Sequence, residues 1–230
     1  MRINIVTINL NNKVGLERTM NSVLSQTFFD HIDYIIIDGG STDGSKELIE
    51  KHKDKLYFWC SEQDNGIFNA MNKGIDHLNG EYVLFLNSGD FIHSRDVIEK
   101  VYNELDADIV YGDEMMFRVN NAMVNYSSYL FSNEFVSKYP DKLDERFFKT
   151  NALPHQSTFI KTSLQKQHKY DESCIIAGDW KFLREAVMKY GATYKHIATI
   201  ISNYGLDGVS SKQFRTFQQE KNNYYKAFDK

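Results

Sequence analysis

The chain has 230 residues and a mass of 26.8 kDa, with 42% hydrophobic and 25% charged residues and two prolines. That length and composition suit a single domain with a real core, and exclude a disordered tail, a collagen-like chain or a small disulfide scaffold. Lys and Arg number 27 against 31 Asp and Glu, a net charge of −4 and a pI near 6.0, which excludes a dedicated nucleic-acid binder with its basic footprint. Cys60 and Cys174 stand apart, with no C-x-x-C or His-rich partner, so neither a disulfide framework nor a zinc knuckle is suggested. The longest apolar runs, such as Tyr82–Leu86, are far short of the ~20 residues that span a bilayer. No signal-peptide profile opens the chain, so the expected location is cytoplasmic, and Asn125-Tyr126-Ser127 is read as a chance glycosylation sequon.

In chain order, Ile3–Ile8 reads as a buried strand, and Leu16, Met20, Val23 and Leu24 fall at helical spacing behind it. Tyr34–Ile37 is a second strand, stopped by the Gly-rich loop Asp38–Ser45; Lys46–His52 reads as a helix and Leu56–Cys60 as a third strand. Ile67, Met71, Ile75 and Leu78 share one face of a helix that Gly80 closes as its C′ residue, and Tyr82–Leu86 is a fourth strand ending at Asn87-Ser88-Gly89-Asp90. This alternation predicts an α/β fold with a mainly parallel, doubly wound sheet. After about Ile109 the rhythm loosens. Ile109–Tyr111, Glu114–Phe117, Val124–Tyr129, His155–Ile160 and Thr193–Ile201 read as strands, Val136–Thr150 is ambiguous, and helices are predicted from Asp179 to Gly191 and over Gln213–Phe228. The reading is one domain of two lobes, about residues 1–108 and about residues 109–230, with no flexible linker.

In an open α/β sheet, ligands bind beyond the carboxyl ends of the strands. Four loops rich in Asp, Asn and Gly fall there: Asn9–Asn12, Asp38–Ser45, Glu62–Gly66 and Asn87–Asp90. Neither G-x-G-x-x-G after the first strand nor a P-loop occurs, nor H-E-x-x-H, nor a G-x-S-x-G elbow. A direct displacement using carboxylates and a metal therefore fits better than a covalent mechanism.

Val6–Asn12, Ser22–Phe28, Ile37–Ser45 and Ala70–Gly74, followed by Gly80–Asp90, Pro154–Phe159 and Ala177–Trp180, resemble in order the motifs of a family 2 glycosyltransferase of the bacterial polysaccharide-biosynthesis type. The resemblance is dense over residues 3–91 and patchy to about 211. It implies a GT-A fold and transfer of a sugar, with inversion, from a nucleotide-diphosphate donor (UDP favoured) to a hydroxyl of a saccharide or lipid-linked saccharide. It implies Mn²⁺ or Mg²⁺ to neutralise the leaving diphosphate. Its residues carry over as Thr7, Asn9, Asp38, Asp64, Lys73, Asn87 and Asp90 for the nucleotide sugar, Asp90 and then His155 for the metal, and Asp179 for the general base.

Five positions depart from the family pattern. Gly39 stands where a second acid follows Asp38, Asn87 and Gly89 where further Asp residues are common, Gly178 where another acid precedes Asp179, and Leu10 where tyrosine is common. Each candidate keeps a plainer alternative: Asp38 as acceptor for its own turn, Lys73 as a solvated lysine, His155 as a structural histidine that otherwise meets metal, diphosphate or acceptor, and Asp179 as a helix N-cap. Gly205–Ser211 reads as a mobile segment able to close over the donor, or as an ordinary turn. Phe217, Tyr224, Tyr225 and Phe228 with Lys221 and Lys226 offer a peripheral membrane contact, or simply pack a terminal helix. Rival functions are a sugar-nucleotide nucleotidyltransferase, which would want a basic Gly-rich loop after the first strand, and a non-catalytic nucleotide-sugar-binding protein.

Overall fold

The protein is described by a computed structural model over residues 1–117, 135–206 and 213–228. The first half runs β1 (Ile3–Asn9), α1 (Lys13–Leu24), β2 (Ile32–Asp38), α2 (Ser45–Lys51), β3 (Phe58–Ser61), α3 (Ile67–Asp76) and β4 (Tyr82–Phe85). It continues with β5 (Phe91–Ile92), α4 (Val97–Tyr102), β6 (Ile109–Phe117), β7 (Phe135–Ser137), α5 (Glu145–Thr150), β8 (Thr158–Lys161), α6 (Thr162–Gln167), α7 (Gly178–Met188), β9 (Tyr194–Gly205) and α8 (Phe214–Phe228).

These strands form one nine-stranded sheet in the order β3-β2-β1-β4-β8-β6-β9-β5, with β7 beside β6. β3, β2, β1 and β4 are parallel, as the alternation predicts. Beyond β4 the sheet turns mixed: β8 is antiparallel to both β4 and β6, β9 is parallel to β6, and β5 is antiparallel to β9. The expected strand pieces Ile109–Tyr111 and Glu114–Phe117 are one continuous strand, bulged against β9 at Asp113. Val124–Tyr129, with Asn125, lies outside the described residues.

Period-two alternation sends each strand's apolar residues to two cores. Ile3, Ile5, Tyr34, Ile36 and Leu84 meet α1, α2 and α4 through Leu16, Met20, Ile49 and Ile98, all buried. Val6, Ile35, Ile37, Val83 and Phe85 meet α3 and α7 through Met71, Ile75, Trp180 and Leu183. Gly74 lets α3 lie close on the sheet, since a Cβ there would sit 2.6 Å from Val6 Cγ1. Gly80 is not the C′ residue of α3, which ends at Asp76 with His77 as its cap. It is a glycine because a Cβ would sit 2.5 Å from the Arg2 carbonyl oxygen.

α8 closes the second core. Tyr224 and Tyr225 meet the Trp180 ring edge-on, and Lys221 is 2% exposed, over Trp180 with its Nζ donating to the Asn151 carbonyl. Burial lowers the Lys221 ammonium to about 8. Lys221, Tyr224 and Tyr225 thus pack the helix inward, which corrects Lys221 as a membrane-facing charge. No helix among the described residues is long and apolar enough to cross a membrane.

Candidate active site

The carboxyl ends of β1, β2 and β4 carry the polar loops to one edge of the sheet. Asp38 ends β2 fully buried, and its carboxylate accepts four hydrogen bonds: from Asn9 Nδ2 (2.7 Å), Ser41 Oγ (2.5 Å), Ser41 N (2.9 Å) and Ser61 Oγ (2.7 Å). Burial pushes the Asp38 carboxyl up, but these donors outweigh it and hold it below the ordinary range. Asp38 is therefore a sealed acceptor that ties three loops together, not a free contact for base or ribose. Thr7 is corrected likewise. It is fully buried, with its hydroxyl 3.1 Å from that of Tyr34. Asn9 spends its amide N–H groups on Asp38 and Ser41, and so backs the cleft.

The carboxylate that faces this edge belongs to Asp64. It is half-buried, one oxygen accepting from Gly66 N at 3.0 Å, the other standing where a Cβ on Gly39 would approach to 2.5 Å. Gly39 thus departs from the family pattern because Asp64, from the loop after β3, fills the space over it. Lys73 is engaged by Glu62 Oε1 at 2.7 Å and the Gln63 carbonyl at 3.1 Å.

After β4 the chain makes a tight turn. Gly89 has φ +114°, a conformation that strains any L side chain, so the acid common there is replaced for a backbone reason. Thr19 Oγ1 accepts from Gly89 N at 3.0 Å and donates to the Asp90 carbonyl at 2.6 Å, while the Arg18 guanidinium donates to the Gly89 carbonyl. The Asp90 side chain accepts from Gly205 N at 3.3 Å. Burial pushes its carboxyl up to about 6, moderated by His155, that amide and Arg18.

Asn87 and Asp179 come together through His155. Asn87 Nδ2 is 3.0 Å from His155 Nε2, and His155 Nδ1 is 2.8 Å from Asp179 Oδ2. Burial lowers the affinity of His155 for a proton, but the Asp179 hydrogen bond and the charges of Asp179, Asp90 and Glu114 raise its pKa overall. With both ring nitrogens taken by side chains, His155 is not placed as a metal ligand, contrary to expectation. Asp179 is not an N-cap either. Ala177 caps α7, and Asp179 lies in the first turn with its other oxygen accepting from Trp180 N at 2.7 Å. Gly178 is a glycine because a Cβ there would lie 2.7 Å from the Phe68 ring.

Two carboxylates escaped the sequence reading. Glu114, 3% exposed on β6, accepts from the Tyr139 hydroxyl (2.6 Å) and Gln156 Nε2 (2.7 Å). Burial pushes its carboxyl up to about 7, opposed by those two bonds and reinforced by Asp90. The available signal was the adjacent acid pair Asp113-Glu114 inside a strand, both of which are buried. Glu220 of α8 accepts from the backbone N–H groups of Ile175 (2.6 Å), Ile176 (3.1 Å) and Ala177 (2.8 Å), just ahead of α7. No local pattern reveals this pairing. Of the segment expected to close over the donor, Asp207–Ser211 lies outside the described residues.

A divalent cation at the β4 turn has suitable donors. Asn87 Oδ1 is buried without a hydrogen-bond partner, and Asp90 supplies a carboxylate, both hard oxygens of the kind Mg²⁺ and Mn²⁺ accept. Among the described residues no group of three or more His, Cys, Asp and Glu side chains is arranged to hold a metal.

A parallel half-sheet ending in a polar cleft, joined to a mixed half that delivers an aspartate to it, defines a GT-A α/β transferase. The chain belongs to glycosyl transferase family 2, whose model matches residues 4–191. It is 29% identical over 211 residues to the "uncharacterized glycosyltransferase Rv1514c" of Mycobacterium tuberculosis, covering 91% of this chain and 77% of that one. It is 24% identical over 208 residues to a PGL/p-HBAD biosynthesis glycosyltransferase of Mycobacterium bovis, covering 87% and 75%. Staphylococcus aureus TarS 1–349, solved with UDP-GlcNAc, shares the fold with a TM-score of 0.68 at 20% identity, over 89% of this chain and 58% of that one. The Pyrobaculum calidifontis mannosyltransferase PcManGT, solved with GDP-Man and Mn²⁺, has a TM-score of 0.69 at 14% identity, over 100% of this chain and 64% of that one. The chain thus spans less than two thirds of either solved chain.

Proposed function

We propose that the protein is an inverting, divalent-metal-dependent glycosyltransferase, moving a sugar from a UDP-sugar to a hydroxyl of a saccharide or lipid-linked saccharide during glycan assembly at the cytoplasmic side of a membrane. The first lobe holds the donor and the second presents the acceptor. The observation that carries this reading is the chain Asn87–His155–Asp179, which sets an aspartate of α7 against the turn at the end of β4. TarS with UDP-GlcNAc and PcManGT with GDP-Man and Mn²⁺ support a nucleotide-sugar donor and a metal.

In this reading Asp64 meets the base or ribose, Lys73 of α3 lies on the donor side, and Asn87 and Asp90 would hold the metal. When bound, that ion neutralises the charge building on the leaving diphosphate. Asp179 takes the proton of the acceptor hydroxyl as its oxygen bonds to the anomeric carbon. The bond from that carbon to the diphosphate oxygen breaks on the opposite face, and the configuration inverts. An ionised aspartate is a competent base at neutral pH once aimed at that proton.

The test is a panel of nucleotide sugars with and without Mn²⁺, scored for glycoside and nucleoside diphosphate, on wild type and Asp179→Asn. The variant should bind donor normally and transfer roughly 10²–10⁴-fold more slowly. Near wild-type transfer by a folded Asp179→Asn protein would sink the assignment. Released pyrophosphate would point instead to nucleotidyl transfer, and no product to a binding protein.

A further inference from the structure

We propose that His155 is the positioning residue of the base: its Nδ1–H holds one carboxylate oxygen of Asp179, and its Nε2 ties that carboxylate to Asn87 in the donor-side turn. This rests on the reading of Asp179 as base. An ionised carboxylate only accepts, so the 2.8 Å contact places a hydrogen on Nδ1. The other Asp179 oxygen is fixed by Trp180 N at 2.7 Å. With one donor on each oxygen the plane of the carboxylate is set, and each oxygen keeps lone-pair capacity for a further hydrogen bond. His155 neither gives nor takes a proton in the transfer; it holds an angle.

The turn that carries His155 is itself pinned. Gln156 donates to Glu114 at 2.7 Å, the Ser157 and Ser202 hydroxyls are 2.7 Å apart, and Thr158 Oγ1 donates to the Pro154 carbonyl at 2.7 Å. Three successive side chains thus lock the backbone beneath the imidazole. The His155 and Asp179 side chains are 11% and 19% exposed, so little water competes for their bond. The asparagine at 87 also acquires a reason. With the hydrogen on Nδ1, Nε2 accepts from Asn87 Nδ2, which leaves Asn87 Oδ1 unbonded. A carboxylate at that position accepts only, and would demand a full imidazolium against the base.

Two isosteric halves of the imidazole separate its roles. The amide nitrogen of His155→Asn lies where Nδ1 was, and that of His155→Gln lies where Nε2 was. Positioning of Asp179 predicts that His155→Asn keeps kcat within about 5-fold, while His155→Gln loses the roughly 10–100-fold typical of removing a residue that orients a reacting group. Donor affinity by calorimetry should be unchanged in both. In an Asp179→Asn background, His155→Gln should cost nothing further, because the two residues act as one unit. Equal losses in the two variants, or the reverse order, overturn the proposal. So does an additive loss in the double variant. An active Asp179→Asn protein overturns the base reading itself, a separate outcome. Nitrogen NMR of the wild-type imidazole adds a measurement that needs no variant to fold: an Nδ1 without a proton would overturn the proposal alone.

Discussion

Asp90 and Glu114 are carboxyls that burial drives towards the neutral form, to about 6 and about 7. Each therefore costs the fold something when ionised. For Glu114 the sign follows from a folded-state pKa above its ordinary 4.5. Its stabilising share is complete below that value and is lost as pH rises through about 7, by up to ~3 kcal/mol. Glu114→Gln should flatten the fall in urea-derived stability between about pH 5 and 8; parallel curves for wild type and variant would contradict this. Asp90→Ala should leave the fold standing while removing the Mn²⁺-dependent part of nucleoside-diphosphate binding, which calorimetry with and without metal reads directly. Unchanged metal-dependent affinity would move the ion elsewhere. At this scale the sequence spoke unevenly. Asp90 and Asp179 stood in recognisable strings, whereas the role of Asp38 depends on Ser61, which β3 brings from 23 positions away. Glu114 looked like any strand residue until Gln156 and Tyr139 were folded onto it.

α7 presents its first turn because α8 lies behind it. The three N–H groups of residues 175–177 have no helical carbonyl to bond, and the Glu220 carboxylate takes all three. Glu220→Ala leaves them with weaker partners. Hydrogen bonds to a charged group are worth about 1.5–3 kcal/mol, and for a chain of this size each kcal/mol moves Tm by about 2–4 °C. A Tm drop of roughly 3–12 °C should follow, with faster hydrogen exchange at the start of α7 and slower transfer at unchanged donor affinity. An unchanged exchange pattern would show α7 to be held by the Trp180 packing alone. The helices themselves were legible from their apolar spacing: Leu16, Met20 and Val23 of α1, and Leu183 and Ala186 of α7, are all buried. What spacing could not supply was the neighbour. Gly80 looked like a helix stop by its position, and the Arg2 carbonyl that actually requires a glycine is 78 residues away in the chain.

Across the whole molecule, the parallel half of the sheet was readable because β1, β2 and β3 each lead into a helix before the next parallel strand begins. The mixed half was not, because β8, β6 and β9 are ordered by pairings between distant segments that no local period records. The position of β8 has a consequence in time as well as space. β4 is an apolar strand, with Tyr82, Val83, Leu84 and Phe85 all buried, and its outer edge is covered only when Thr158–Lys161 arrive. Between them lie roughly 70 residues, about 4–14 s of ribosomal synthesis. Throughout that interval the growing chain displays an open, sticky strand edge. Ribosome-bound chains arrested short of β8 should self-associate or recruit a chaperone, and chains arrested well beyond it should sediment as monomers.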